Sequence, residues 1–292
     1  MAKLKSGVDK GYHAKILVQR TAKEIVCIIL CLMSLIPFII LFMNATRTSE
    51  AIKAGLSFIP GGNLAENWKN FMAKQNGMEI NVFKAMLNSL IISVPSTICT
   101  VYFSTLTAYG IFVYDFKLKK FAWSFILAVM IIPNTIAAIG FYQFMNQIGL
   151  TDSYLALIIP SIASPATVFF MKQYMESVFS KELVEAARID GSGEFRTFNT
   201  IAIPLMKPAI ATQAIFAFVA SWNNLFMPSL IISSESKQTL PLFIRMLQSD
   251  QFKTDYGVVY IGLTIAILPI FVVYFILARN IVAGVQMGGV KE

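Results

Sequence analysis

The chain is short of the residues from which catalytic and metal sites are built. Its 292 residues include one histidine, His13, and three cysteines, Cys27, Cys31 and Cys99. Cys27 and Cys31 are one helical turn apart in an apolar run. No second pair or histidine stands ready to complete a metal tetrahedron, so all three read as small apolar filler. His13, in a basic tail, reads as solvated. No G-x-x-x-x-G-K-[ST] occurs, which excludes ATP binding by a phosphate loop. No Lys, Arg, Asp or Glu falls in the middle of any long apolar run. An ion-coupled carrier usually needs buried ionisable groups, and a membrane-embedded enzyme needs a constellation near a span; neither is present. The net charge is +8, but no polar module interleaves basic and aromatic residues. Nucleic acid is therefore set aside in favour of basic loops facing an anionic leaflet.

Apolar residues are abundant. They make up 56% of the chain and charged residues 14%, where a soluble domain has about 45–50% and about 25%. Six runs have membrane-crossing length: 25–43, 87–113, 121–144, 153–171, 209–233 and 257–282. They are flanked by a basic tail, 1–24, and a short C-terminal tail, 283–292. The first run is longer than a signal-peptide core and ends without a cleavage site, so it reads as an uncleaved span. Proline interrupts every run, at Pro37, Pro95, Pro133, Pro160 and Pro165, Pro228 and Pro269, which membrane helices tolerate. The second run is rich in Ser and Thr, which allow close helix approach and bonds across the interface. In the loop 44–86, residues 64–74 read as an amphipathic helix with Leu64, Trp68, Phe71 and Met72 on one side. The expected fold is all-α: a polytopic membrane protein with six transmembrane helices. Sixteen of the 24 Lys and Arg fall on the side holding both termini, and eight on the other. The richer side is cytoplasmic.

The longest patterned polar interval is 181–208, between the fourth and fifth runs. Ser180 is placed to cap a helix whose first turn carries Glu182. Leu183, Ala186, Ala187 and Asp190 recur at helical spacing and are expected on one face. Gly191 ends that helix where a left-handed residue is wanted. Ser192 is placed to cap a second short helix, with Phe195, Phe198 and Ala202 near one face. Pro204 and Pro208 close it and open the next run. The expectation is a helix–glycine turn–helix outside the membrane.

Glu185-Ala186-Ala187, three residues, Gly191, nine residues, then Ile201-Ala202-Ile203-Pro204 resembles the EAA signature of permeases of ATP-binding-cassette importers. The one departure is Ile203 in place of Leu. Trp222-Asn223 with Pro228, and the ending from Ala283 to Lys291, extend the likeness to MalG-type carbohydrate permeases. The resemblance implies a multi-pass cell-membrane protein, not an enzyme, that forms half of a pathway for a di- or oligosaccharide. Glycerol-phosphate-type substrates occur in related systems. It implies a second, homologous permease subunit, two copies of a cytoplasmic ATPase that hydrolyses ATP, and an extracytoplasmic solute-binding protein. This chain itself would bind no cofactor. The ATPase-coupling residues it implies are Glu185, Ala186, Ala187, Asp190, Gly191 and Pro204. The tail, through Gly288, Gly289 and Lys291, would reach the ATPase.

The polar groups in the spans are candidates for the pathway: Asn134 beside Pro133, Gln143, and Trp222 with Asn223 and Asn224. Amides bond sugar hydroxyls and an indole stacks on a sugar ring. An amide in a span also serves to bond a neighbouring helix, and a tryptophan to pack.

Overall fold

The computed structural model describes residues 2–248 and 254–288. The side chains described exclude 1–11, 13–14 (which include His13), 134–135 and 280 onward. Among the described residues there is no strand. The chain divides into two units, 1–71 with 255–264 and 72–254 with 265–292.

In the first unit, helix α1 runs unbroken over Ala2–Ala45, through Pro37. The basic tail therefore continues into the first span without a joint. A helix spanning 64–74 is present as Leu64–Lys74 (α2), whose residues up to Phe71 belong to this unit. Its face differs from the expected one. Asn67 and Phe71 are buried, whereas Leu64 and Trp68 are exposed. The reason is polar: Asn67 Nδ2 donates to the carbonyls of Ala45 and Arg47, each at 2.9 Å. These are carbonyls at and beyond the end of α1 that no helix bond satisfies. Gly257 is fitted to the same side chain, since a Cβ there would stand 2.5 Å from Asn67 Nδ2.

The second unit is organised around α3, Val82–Val113, which starts at an Asn81 cap and contains Pro95. Helices α4 (Lys119–Met130) and α5 (Asn134–Gln147) follow, separated where Pro133 stands. Then come α6 (Pro165–Val178), α7 (Lys181–Ile189), α8 (Glu194–Thr197), α9 (Lys207–Trp222), α10 (Phe226–Ile231), α11 (Leu240–Gln248) and α12, Tyr256–Gly288, whose residues from Ile265 on belong to this unit. The buried face of α3 is small and polar, with Ser89, Ser93, Ser96, Thr100, Ser104, Thr105 and Ala108. It packs against α6 and α9. Small residues let the backbones close up. Of its hydroxyls, Ser93 and Thr105 bond back into their own helix, Thr105 to the Val101 carbonyl at 2.7 Å, while Ser89 Oγ accepts the Leu240 amide at 2.8 Å. Thr100, which reaches the Ser161 carbonyl at 2.9 Å, bonds outward.

By length and composition, four helices among the described residues can cross a membrane: Lys15–Ala45, Val82–Val113, Leu155–Val178 and Tyr256–Arg279. A fifth is counted if Glu194–Leu205 and Lys207–Trp222, bent by 82°, form one span. The expected third run is divided into α4 and α5. The expected fifth run stops as a helix at Trp222, where Asn224 Oδ1 accepts from Met227 N at 3.2 Å and starts α10.

Candidate functional site

The polar interval folds as a helix, a glycine turn and a second helix. Ser180 Oγ accepts the Glu182 amide at 3.2 Å and caps α7. At the other end the Gly191 N–H meets the Arg188 carbonyl at 3.0 Å and the Ser192 N–H meets that of Ala187 at 2.8 Å. This is a Schellman termination, and it needs the positive φ of 78° that Gly191 adopts. Ser192 does not cap the second helix. Gly193 stands at the cap position with no side-chain bond, and Ser192 Oγ instead accepts the hydroxyl of buried Thr197 at 3.0 Å. Pro204 has no N–H and would crowd the carbonyl four residues back. The chain meets this with a wider π turn over Phe198–Ala202, directly before Ile203–Leu205.

The inward face of α7 is Val184 and Ala187, so Ala187 of the four residues expected on one face is turned inward. Leu183, Ala186 and Asp190 are exposed. Val184 sits in a core with Tyr109, Phe179 and Phe198. The Phe198 ring lies 5.3 Å from that of Tyr109 and 5.7 Å from that of Tyr102, both on α3. Phe195, expected beside Phe198, instead points out at 67% exposure. Ile189 is 86% exposed. Glu185, Gly191 and Pro204 are exposed as well. Glu185 pairs with no described residue.

Three side chains absent from the sequence expectations tie this loop together. Arg188 Nε donates to Glu194 Oε1 at 2.6 Å, and the Tyr114 hydroxyl donates to Glu194 Oε2 at 2.5 Å. Arg188, and then Tyr114, hold the Glu194 carboxyl below its ordinary range. Burial, and then the bond to Glu194, push the Tyr114 hydroxyl up to about 12. The Arg188–Glu194 pair is legible in hindsight as two opposite charges flanking a glycine turn. Tyr114, 80 residues before Glu194, left no such signal.

A second clasp joins the loop after α5 to the one after α10. Asp152, at a φ of 56°, accepts from Ser234 Oγ at 2.6 Å, from the amides of Ser233 and Ser234, and from Lys237 Nζ at 2.7 Å. Lys237, and then Ser234, hold its carboxyl well below the usual carboxylate range.

The described pathway candidates differ in exposure and in partners. Trp222 is 1% exposed and stacked on Phe218. Its Nε1 donates to the Ala266 carbonyl at 3.0 Å. Asn224 caps α10. Asn223 and Gln143 are exposed. Asn134 opens α5, but its side chain lies outside those described. Gly288 is the last residue of α12; Gly289 and Lys291 lie outside the described residues. No three described His, Cys, Asp or Glu residues are placed to share a metal ion.

Residues 100–287 match the family model described as "Binding-protein-dependent transport system inner membrane component". The chain is 32% identical to the arabinooligosaccharides transport system permease protein AraQ of Bacillus subtilis, over 94% of this chain and 96% of that protein. It is 31% identical to the lactose transport system permease protein LacG of Rhizobium radiobacter, over 89% and 92%. Its fold is similar to a chain of a bacterial ABC transporter involved in import of the acidic polysaccharide alginate, with a TM-score of 0.73. That alignment covers 90% of this chain and 96% of that one, at 20% identity. With the signature loop folded as described and the match spanning α3 to α12, this chain belongs to the family of inner-membrane permeases of binding-protein-dependent ABC importers.

Proposed function

We propose that the chain is one of two membrane subunits of a sugar importer, working with a homologous permease, two ATPase copies and a solute-binding protein. The ATPase hydrolyses ATP and docks on the loop 181–208. An oligosaccharide is the substrate class, supported by the arabinooligosaccharide and lactose relatives. The observation that carries the docking reading is the exposed set on the loop. Leu183, Ala186, Ile189 and Phe195 face outward beside Glu185, which pairs with no described residue, although the loop buries other apolar residues well. An apolar patch rimmed by charge, on a segment too polar to enter lipid, is a protein-docking surface. Both termini and this loop are cytoplasmic in this reading, as the basic-residue count supports. Gly191 and Pro204 shape the loop, while the exposed Asn223 and Gln143 are available to a pathway.

The test is co-purification of the ATPase subunits with Glu185→Ala and Ile189→Asp variants, beside uptake of labelled arabinotriose, lactose and glycerol 3-phosphate. Loss of the ATPase with normal membrane insertion is expected. Full retention by both variants overturns the docking reading. Uptake of glycerol 3-phosphate alone overturns the sugar reading.

A further inference from the structure

The coupling helix is thinly anchored. Of the nine residues of α7, only Val184 and Ala187 are buried. Gly191, immediately after its cap, has nothing within 4 Å of where a Cβ would stand. A push on Glu185 or Ile189 would therefore swing α7 about the glycine unless something across the turn held it. Lys181, at the start of α7, reaches Asp115 only at 3.9 Å. Glu194 is placed to hold it. One carboxylate oxygen takes Arg188 Nε at 2.6 Å from α7, and the other takes the Tyr114 hydroxyl at 2.5 Å from the cap of α3. The Arg188 guanidinium also lies over the Tyr114 ring at 5.8 Å, which closes the triangle. Three segments meet at one side chain, and α3 is the helix on which α6 and α9 pack.

We propose that Glu194 is a positioning residue that locks the coupling helix to the end of α3, so that the two move as one body. This rests on the docking reading above. An exposed ion pair adds little stability, so the value of the clamp is geometric. Its removal leaves a folded protein whose loop can yield without moving α3.

The test uses the reconstituted importer with Cys27, Cys31 and Cys99 replaced by serine and spin labels at Glu182→Cys, exposed on α7 outside the docking set, and Thr107→Cys. With the clamp intact, the label-to-label distance keeps one narrow distribution both without nucleotide and with ADP trapped by vanadate after ATP hydrolysis. Tyr114→Phe and Glu194→Ala are expected to shift or split it by about 2 Å or more in the trapped state, the scale of helix shifts in switching proteins. Glu194→Gln keeps an oxygen for the Tyr114 hydroxyl and is expected to stay closer to the unmodified behaviour. A distance that changes on trapping with the clamp intact overturns the proposal. So do variants whose distributions match the unmodified one. Co-purification is read in parallel: Tyr114→Phe that sheds the ATPase overturns this proposal, whereas retention of the ATPase by both Glu185→Ala and Ile189→Asp overturns the docking reading instead.

Discussion

The indole Nε1 of Trp222 donates to the Ala266 carbonyl at 3.0 Å, three residues before Pro269 in α12. Proline cannot continue the helix ladder and pushes nearby carbonyls out of line. Pro269 takes the helix donor from the Ile265 carbonyl, and the indole donates to the next carbonyl along, that of Ala266. Its ring is stacked on Phe218 at 5.5 Å and shielded from solvent. Trp222→Phe should cost about 0.5–1.5 kcal/mol, the net worth of one hydrogen bond. Trp222→Ala should cost ~3–5 kcal/mol. Both are read from thermal unfolding of the purified permease. Normal stability with lost sugar uptake would instead assign the ring to substrate.

Gly191 is constrained by conformation and not by space. Gly191→Val places a β-branched side chain at a φ of 78°, at about 1–2 kcal/mol of strain. The protein should still insert, with uptake lost while ATP hydrolysis continues. Gly191→Asn, which tolerates that region, should retain most uptake. Equal uptake by Gly191→Val and the unmodified protein would remove this turn from the coupling step.

The Asp152 clasp predicts a pH dependence with a definite sign. Its folded carboxyl is held below the ordinary 3.8 by Lys237 and Ser234. A depressed pKa adds stability that is complete above the unfolded value and is lost as pH falls through the folded one. The stability gap between the unmodified protein and Asp152→Asn should therefore be constant from neutral pH down to about 5 and shrink only under stronger acid. A gap that closes near neutrality would assign the effect to another group.

Gln143 and Asn223 are the exposed members of the pathway set. Gln143→Cys and Asn223→Cys should react with a soluble thiol reagent and be shielded when arabinotriose or lactose is present. Asn224→Cys should instead lower stability, because Asn224 Oδ1 caps α10. Labelling at positions 143 and 223 that is indifferent to sugar would leave both amides without a transport role.

Reporter fusions at Gly62, Lys119, Gly149 and Gly193 are expected to alternate outside, inside, outside, inside. Gly193 on the outer side would place the signature loop away from any cytoplasmic ATPase.

Local chemistry was readable in the residues themselves. Ser180 as a cap, Gly191 as a left-handed stop, the break at Pro133 and a helix over Leu64–Lys74 all depend on backbone preferences that act within a few residues. The spacing of the signature loop was likewise enough to show the family resemblance. Facing was not readable. On a helix as short as α7, a turn of about 100° exchanges one residue for the next, and the core formed by Tyr109, Phe179 and Phe198 selected Val184 over Leu183. Asn67 turned α2 for the same kind of reason, because unpaired carbonyls at the end of α1 required a donor. Tyr114 with Glu194, Asp152 with Lys237, and Trp222 with Ala266 are separated by 80, 85 and 44 residues. Such contacts are set by the packing of whole helices, since no local preference acts over that distance; only the tertiary structure decided them.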